Sequence, residues 1–193
     1  MPPLPQSLDF AAKWAEGLDY RSFLDRHGTE DQRRRWEGVH AQVRLSDADR
    51  SLLAGFRRDM KVFCLAGAWC GDCANQCPIF EHFASASPKV HLRFFDRDTH
   101  PDLAAVTQMC GAARVPAVLF VSEDDFPCGL YGDRTLAKYR EMGRTLDGAA
   151  CATGISLGAS PLQDAVVQDW LREFERVQWM LRTSTRLRQK HGD

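Results

Sequence analysis

Val62-Phe63-Cys64-Leu65-Ala66 is a short apolar run stopped by Gly67, in a chain otherwise divided into charged and amphipathic stretches. A run this short suits a strand better than a helix, and a strand that is apolar on both faces needs cover on both. We therefore expect a buried central strand and an α/β fold class. The residues that follow keep to this plan. Cys70 to about Ser85 has helical spacing, with Ile79, Phe80 and Phe83 on one side. Val90-His-Leu-Arg-Phe-Phe alternates as a second strand. Pro101 to Cys110 reads as a helix, with proline in its first turn and Gly111 as a left-handed stop. Ala117-Val-Leu-Phe-Val is a third strand, and Ser122-Glu-Asp-Asp-Phe-Pro turns the chain into a fourth around Cys128 to Tyr131. A helix from Thr135 to about Leu146 completes the order β-α-β-α-β-β-α.

Polar helical sequence flanks this unit. Asp9 to Glu16 and Asp19 to Leu24 are short amphipathic helices, with Gly17 and Gly28 placed as stops. Glu30 to about Val43 would bury Trp36, Val39 and Val43, and Ser46 is placed to cap a helix from Asp47 to Met60. Arg33-Arg34-Arg35 stands beside Glu30, Asp31 and Glu37 and reads as a solvated face. The small residues of 147–160 form a flexible loop. Pro161 opens a helix to about Lys190 whose stripe is Val166, Val167, Trp170, Leu171, Phe174, Val177, Met180 and Leu181. That stripe is expected to dock on its own domain. Arg182, Arg186, Arg188 and Lys190 suit the end of that helix without any ligand. The expected organisation is a helical extension packed on the core at 1–60, the α/β domain at 61–146, the loop, and a C-terminal helix at 161–193.

Charge and cysteine usage narrow the function. Lys and Arg number 25 against 26 Asp and Glu, which does not fit a chain that coats nucleic acid or an anionic membrane. The longest stretch without a polar or charged side chain, Val62 to Cys70, spans nine residues with Gly67 inside it, where a membrane helix needs about 20. MPPLPQSLDF lacks a basic region followed by an apolar stretch, so no signal peptide is expected. Seven cysteines cannot all pair within the chain. We expect a cytoplasmic, reducing setting, where neighbouring cysteines serve chemistry or metal.

The chemistry is carried by Trp69-Cys70-Gly71-Asp72-Cys73, at the junction of the buried strand with a helix. Cys70 falls at or beside the helix N-cap, where unpaired N–H groups and the helix dipole favour a thiolate. Cys73 lies one turn inside, able to attack a mixed disulfide but more shielded. Gly71 leaves room for another backbone near the sulfur. Val115-Pro116 opens a strand after Arg114, a position suited to a cis peptide. It would offer the Val115 backbone to an extended substrate.

These residues resemble the thioredoxin superfamily, over roughly residues 61–146, and the Trp-Cys-Gly-Asp-Cys form with a helical N-terminal extension resembles a bacterial subgroup of thioredoxin family proteins. The resemblance implies a thioredoxin-like three-layer fold with a central mixed sheet of about four strands. It implies a thiol–disulfide oxidoreductase in which Cys70 attacks, Cys73 resolves, Pro116 is the cis-proline and Trp69 walls the site. Gly71, Asp72, Arg114 and Val115 would complete the substrate surface. Substrates would be disulfides in proteins or small thiol compounds, and a thioredoxin reductase or glutathione would supply electrons. No cofactor is expected in the chain itself: it has no glycine-rich phosphate loop, so NADPH would be used by a partner. Two positions depart from the family. Cys64 replaces the buried aspartate six residues before the nucleophile, and Asp72 replaces the proline inside the motif. The Asp72 anion should push the Cys70 thiol up, with Arg114 working against it. We therefore expect a reducing or intermediate pair.

The remaining cysteines are assigned quieter roles. Cys77 lies on the same helical stripe as Cys70 and Cys73, and Cys64 could approach from the strand. A third redox thiol or a metal site is the sharper reading, a small buried residue the plainer one. No fourth ligand is evident, and His82 is rotated off the stripe. Cys110, Cys128 and Cys151 read as structural or incidental, although Cys151 in the loop could be oxidised in air. The histidines at 27, 40, 82, 91, 100 and 191 read as surface residues, and Asp96 and Asp98 as a turn. Two rival functions stand beside the oxidoreductase. One is a metal-binding or redox-sensing module using Cys70, Cys73 and Cys77. The other is a helical adaptor with a vestigial dithiol.

Overall fold

Asp9, Asp19, Thr29 and Ser46 each present a side-chain oxygen to a backbone N–H three residues on, and four helices start there. They are α1 (Phe10–Glu16), α2 (Tyr20–His27), α3 (Glu30–His40) and α4 (Asp47–Ala54). Thr29 and Ser46 close capping boxes with Gln32 and Asp49. The computed structural model describes residues 8–145 and 162–193. The loop expected at 147–160, Cys151 and Pro161 lie outside the described residues.

The chain continues through β1 (Met60–Ala66), α5 (Gly71–Ala86), β2 (Val90–Asp96), α6 (Pro101–Val106), β3 (Ala117–Ser122) and β4 (Pro127–Gly132). It closes with α7 (Leu136–Thr145), α8 (Leu162–Thr183) and α9 (Thr185–His191). The strands form one sheet in the order β2-β1-β3-β4. β1 runs parallel to β2 and antiparallel to β3, so the sheet is mixed, as the α/β reading requires.

Alternation along β1 divides the core between the two faces of the sheet. Phe63 meets Phe10 and Trp14 of α1 and stacks on Phe95 of β2 at 5.3 Å. Cys64, opposite Phe94 and Val118 in the register, faces the other way and lies under α5. On that side Phe174 of α8 packs against Phe80, Phe83 and Phe120, with ring centroids 5.0 to 5.9 Å apart. The apolar stripe of α8 is thus spent on its own chain. Met180 departs from the expected stripe and is exposed. The β2 edge is covered too: Leu18 and Phe94 exchange backbone hydrogen bonds of 2.9 and 2.7 Å, which removes an open template for strand pairing.

Several expected helices end early. α4 stops at Gly55 and Met60 already belongs to β1. α6 stops at Val106, where the Thr107 backbone leaves the helix (φ −109°, ψ 19°) while its hydroxyl donates back to the Leu103 carbonyl at 2.9 Å. Gly111 is left-handed, as expected, but it serves a turn between Met109 and Ala112 and does not stop a helix. The C-terminal helix is two, since Ser184 caps a fresh start by accepting from the Leu187 N–H. Its basic residues find acidic partners: Arg186 pairs with Asp124, Lys190 with Glu123, and Arg182 with Asp193. No helix among the described residues is long and apolar enough to cross a membrane.

Candidate functional site

Gly67 to Cys70 carries the chain from the end of β1 into α5. Cys70 is the N-cap of α5, with an extended backbone (φ −79°, ψ 127°), and its side chain makes no capping hydrogen bond. Its sulfur is left beside the unpaired N–H groups of the first helical turn. Cys70 is half-buried, whereas Cys73 is sealed within the core. The Cys70 thiol donates to the Val115 carbonyl at 3.6 Å, and the Val115–Pro116 peptide is cis. Trp69 is 47% exposed and carries the Arg97 guanidinium 4.5 Å above its ring. The structure therefore gathers Trp69, Cys70, Cys73, Val115 and Pro116 at one place. Gly132, at the end of β4, has φ +142°, and any side chain there would run into the Pro116 carbonyl.

Three expected site residues turn out to be engaged elsewhere. The Asp72 carboxylate pairs with Arg134 at 2.6 Å, so it does not stand as a free anion beside Cys70. Arg114 is bound to Asp133 at 3.1 Å and is not directed at the thiol. A methyl group on Gly71 would come 3.0 Å from the Arg35 guanidinium of α3, so the space beside this glycine is filled by a side chain and not by another backbone. Arg35 thereby leaves the purely solvated role expected of the arginine run.

The two sulfurs control each other's ionisation. The hydrogen bond with Cys73 pushes the Cys70 thiol up, as do burial and the Cys73 charge, while the backbone N–H groups of Cys73 and Asp72 work to lower it. The direction agrees with the sequence expectation, but Cys73 is its cause and Asp72 is not. The Asp72 charge acts on Cys73 instead. Burial pushes Cys73 up, but hydrogen bonds with Cys70 and Cys77 and with the Gly67 backbone outweigh it and bring the thiol down. One proton thus leaves the pair readily, and the second, shared between the sulfurs, is held.

Sequence reasoning missed the residues that support this loop. Trp36 of α3, fully buried, donates its indole N–H to the Ala68 carbonyl at 2.9 Å, tying the N-terminal extension to the turn that carries Cys70. Its burial was readable from helical spacing, but its partner was not. Gln76 of α5 donates to the Asp133 carbonyl at 2.9 Å and accepts from the Trp170 indole of α8 at 2.8 Å. The Asp133 carboxylate also accepts from Tyr139. No local pattern announces these long-range pairs.

Asp133 links the site to acid stability. Burial raises its carboxyl, but the Tyr139 and Arg114 hydrogen bonds hold it below its usual 3.8. A carboxyl lowered on folding stabilises the protein above that ordinary value, and the stabilisation is lost as pH falls toward the depressed one. Urea midpoints from pH 7 to pH 3 are expected to show wild type above Asp133→Asn at neutral pH, with the gap closing below about pH 4. A gap independent of pH would contradict this role.

Among the described residues, no group of three or more His, Cys, Asp or Glu is arranged to hold a metal ion. Asp96 accepts from the N–H groups of Asp98 and Thr99, each at 3.1 Å, and so shapes a turn. The histidines are not all superficial: the half-buried rings of His40 and His82 lie 4.3 Å apart, and a ring nitrogen of His82 meets the His40 carbonyl at 3.0 Å.

Against known proteins, the family described as Thioredoxin matches residues 17–143 of this chain, beginning within the N-terminal helices. A search of curated proteins found no match. Among solved structures, a protein of unknown function from Pseudomonas aeruginosa aligns with a TM-score of 0.68 at 15% identity, covering 88% of this chain and 96% of its own. An HIV epitope-scaffold aligns with a TM-score of 0.64 at 16% identity, covering 88% of this chain and 97% of its own. At such identities the likeness is one of fold.

Proposed function

This chain belongs to the thioredoxin family, and from that premise we propose that it is a thiol–disulfide oxidoreductase working through Cys70 and Cys73. The observation that carries the reading is the arrangement of the two sulfurs. One is reachable from solvent at the N-terminus of α5, and the other lies sealed in the core within the first turn of the same helix. The pair reacts with one proton already lost: as Cys73 takes the shared proton, the Cys70 sulfur attacks one sulfur of a substrate disulfide and forms a mixed disulfide. The other substrate sulfur leaves and takes the Cys73 proton. Cys73 thiolate then attacks the Cys70 sulfur and expels the remaining substrate sulfur. Two electrons have passed to the substrate, and Cys70 and Cys73 are left bridged. An external thiol donor, a thioredoxin reductase or glutathione, restores the pair.

Trp69, Val115 and Pro116 bound the exposed side of Cys70 and are assigned to substrate contact. Gly71, Asp72 and Arg114 are assigned to holding the site, through Arg35, Arg134 and Asp133 respectively. Removing the resolving thiol tests the order of attack. Cys73→Ser incubated with a disulfide-bridged peptide should accumulate an adduct of one peptide on Cys70, seen by intact mass and released by dithiothreitol. No adduct, with Cys70 still open to alkylation, would contradict the assignment.

A further inference from the structure

Two cysteines that this exchange does not use lie directly beneath it. Cys77 sits one turn beyond Cys73 on α5, and Cys64 rises from β1 below, their sulfurs 3.7 Å apart and both fully buried. Cys73 stands between Cys70 and Cys77 on α5, three residues from the first and one helical turn from the second, and the Cys77 sulfur meets that of Cys64. Four sulfurs therefore stand in file from the solvent edge to the sheet. A disulfide at about 2.05 Å would require each of the two inner sulfurs to move by about 0.8 Å. Exchange needs a sulfur in reach of a disulfide sulfur; Cys77 already meets Cys64, and a single helical turn on one stripe of α5 separates it from Cys73.

We propose that Cys64 and Cys77 are a second dithiol, which takes up oxidation from the Cys70–Cys73 bridge through Cys73. The proposal rests on the reading of Cys70 and Cys73 as a redox pair. Starting from that bridge, the Cys77 sulfur attacks Cys73 and forms a Cys73–Cys77 disulfide. Cys70 leaves and takes the Cys77 proton. The Cys64 sulfur then attacks Cys77 and forms the Cys64–Cys77 disulfide. Cys73 leaves and takes the Cys64 proton. Two electrons have moved outward, Cys70 and Cys73 are dithiol again, and no outside reactant was consumed. A second substrate disulfide can then be reduced before any external donor acts. Burial pushes the Cys64 and Cys77 thiols up, so the transfer should be slow at neutral pH and faster in alkaline solution.

The experiment uses the full, reduced chain with glutathione disulfide as oxidant. Samples are quenched in acid at intervals and alkylated unfolded. Chymotryptic cleavage at Trp69 then separates Cys64 from the other three. In wild type, the Cys70–Cys73 bridge is expected first and the Cys64–Cys77 bridge after it. In Cys73→Ser, the Cys64–Cys77 bridge should form about tenfold more slowly or worse, because a bulky oxidant must pass through Cys73 to reach a buried pair. Cys64→Val keeps an apolar group of similar size in the core. It should still form the Cys70–Cys73 bridge and leave Cys77 free for alkylation. A wild type that forms the Cys70–Cys73 bridge while Cys64 and Cys77 stay fully alkylated overturns the second dithiol. Equal rates in wild type and Cys73→Ser overturn the transfer through Cys73. Failure of the Cys70–Cys73 bridge itself overturns the parent reading, and the second dithiol with it.

Discussion

Replacing Cys70 with serine is expected to reduce the rate of disulfide reduction by at least about 10³-fold, since loss of a covalent nucleophile leaves only binding behind. A hydroxyl does not ionise near neutral pH, and only a thiolate opens a disulfide. The fold should barely respond. Cys70 is half-buried, and a serine hydroxyl can replace the weak hydrogen bond of its thiol to the Val115 carbonyl at 3.6 Å. The expected change in stability is within about 1 kcal/mol. Reduction of a peptide disulfide under excess dithiol, with a urea midpoint measured on the same sample, separates the two effects. Retention of more than a tenth of the activity would mean that another thiol attacks.

Trp36→Ala is expected to be the most damaging substitution in the N-terminal helices, costing about 3–5 kcal/mol for the loss of a fully buried tryptophan. Whole domains of this kind hold only about 5–15 kcal/mol, so the variant should be partly unfolded at ordinary temperatures. The indole packs among Tyr20, Phe23 and Phe94, with centroids 6.0, 5.8 and 6.5 Å away. Trp36→Phe separates packing from positioning. It keeps most of the ring but leaves the Ala68 carbonyl without its donor, at a cost of about 1–3 kcal/mol. That carbonyl lies two residues before Cys70, so the Phe variant, though folded, should also show a displaced pH profile for Cys70 alkylation. A folded Trp36→Phe protein with the wild-type profile would show that α3 only packs against the site and does not set it.

The fold was readable where its causes are local. β1 follows from five consecutive apolar residues, and α1 to α4 follow from four capping side chains and the glycines that end three of them. α6 ends short of the helix that periodicity suggests to Cys110, since the backbone turns at Thr107, whose hydroxyl bonds to the Leu103 carbonyl, a polar feature that periodicity does not register. The break at Ser184 was missed for a similar reason: the apolar stripe runs up to it, while the cap is a polar matter. At the site, the spacing of Cys70 and Cys73 was enough to place both sulfurs on one helical turn. The electrostatics around them could not be read, because Asp72 meets Arg134, Arg114 meets Asp133 and Gly71 meets Arg35 only after the chain has folded. The contact between Cys64 and Cys77 was left open by the sequence for the same reason, since it joins a strand to the helix above it.

The most direct test of the central claim is the reduction potential of the Cys70–Cys73 pair. The full chain would be equilibrated across a dithiol redox series, trapped, and read from the peptide that carries both cysteines. A single reversible two-electron transition between about −200 and −290 mV is expected, in the range of working reducing and exchanging dithiols. If no Cys70–Cys73 bridge forms at any poise, the two sulfurs are not a redox couple and the oxidoreductase reading is wrong.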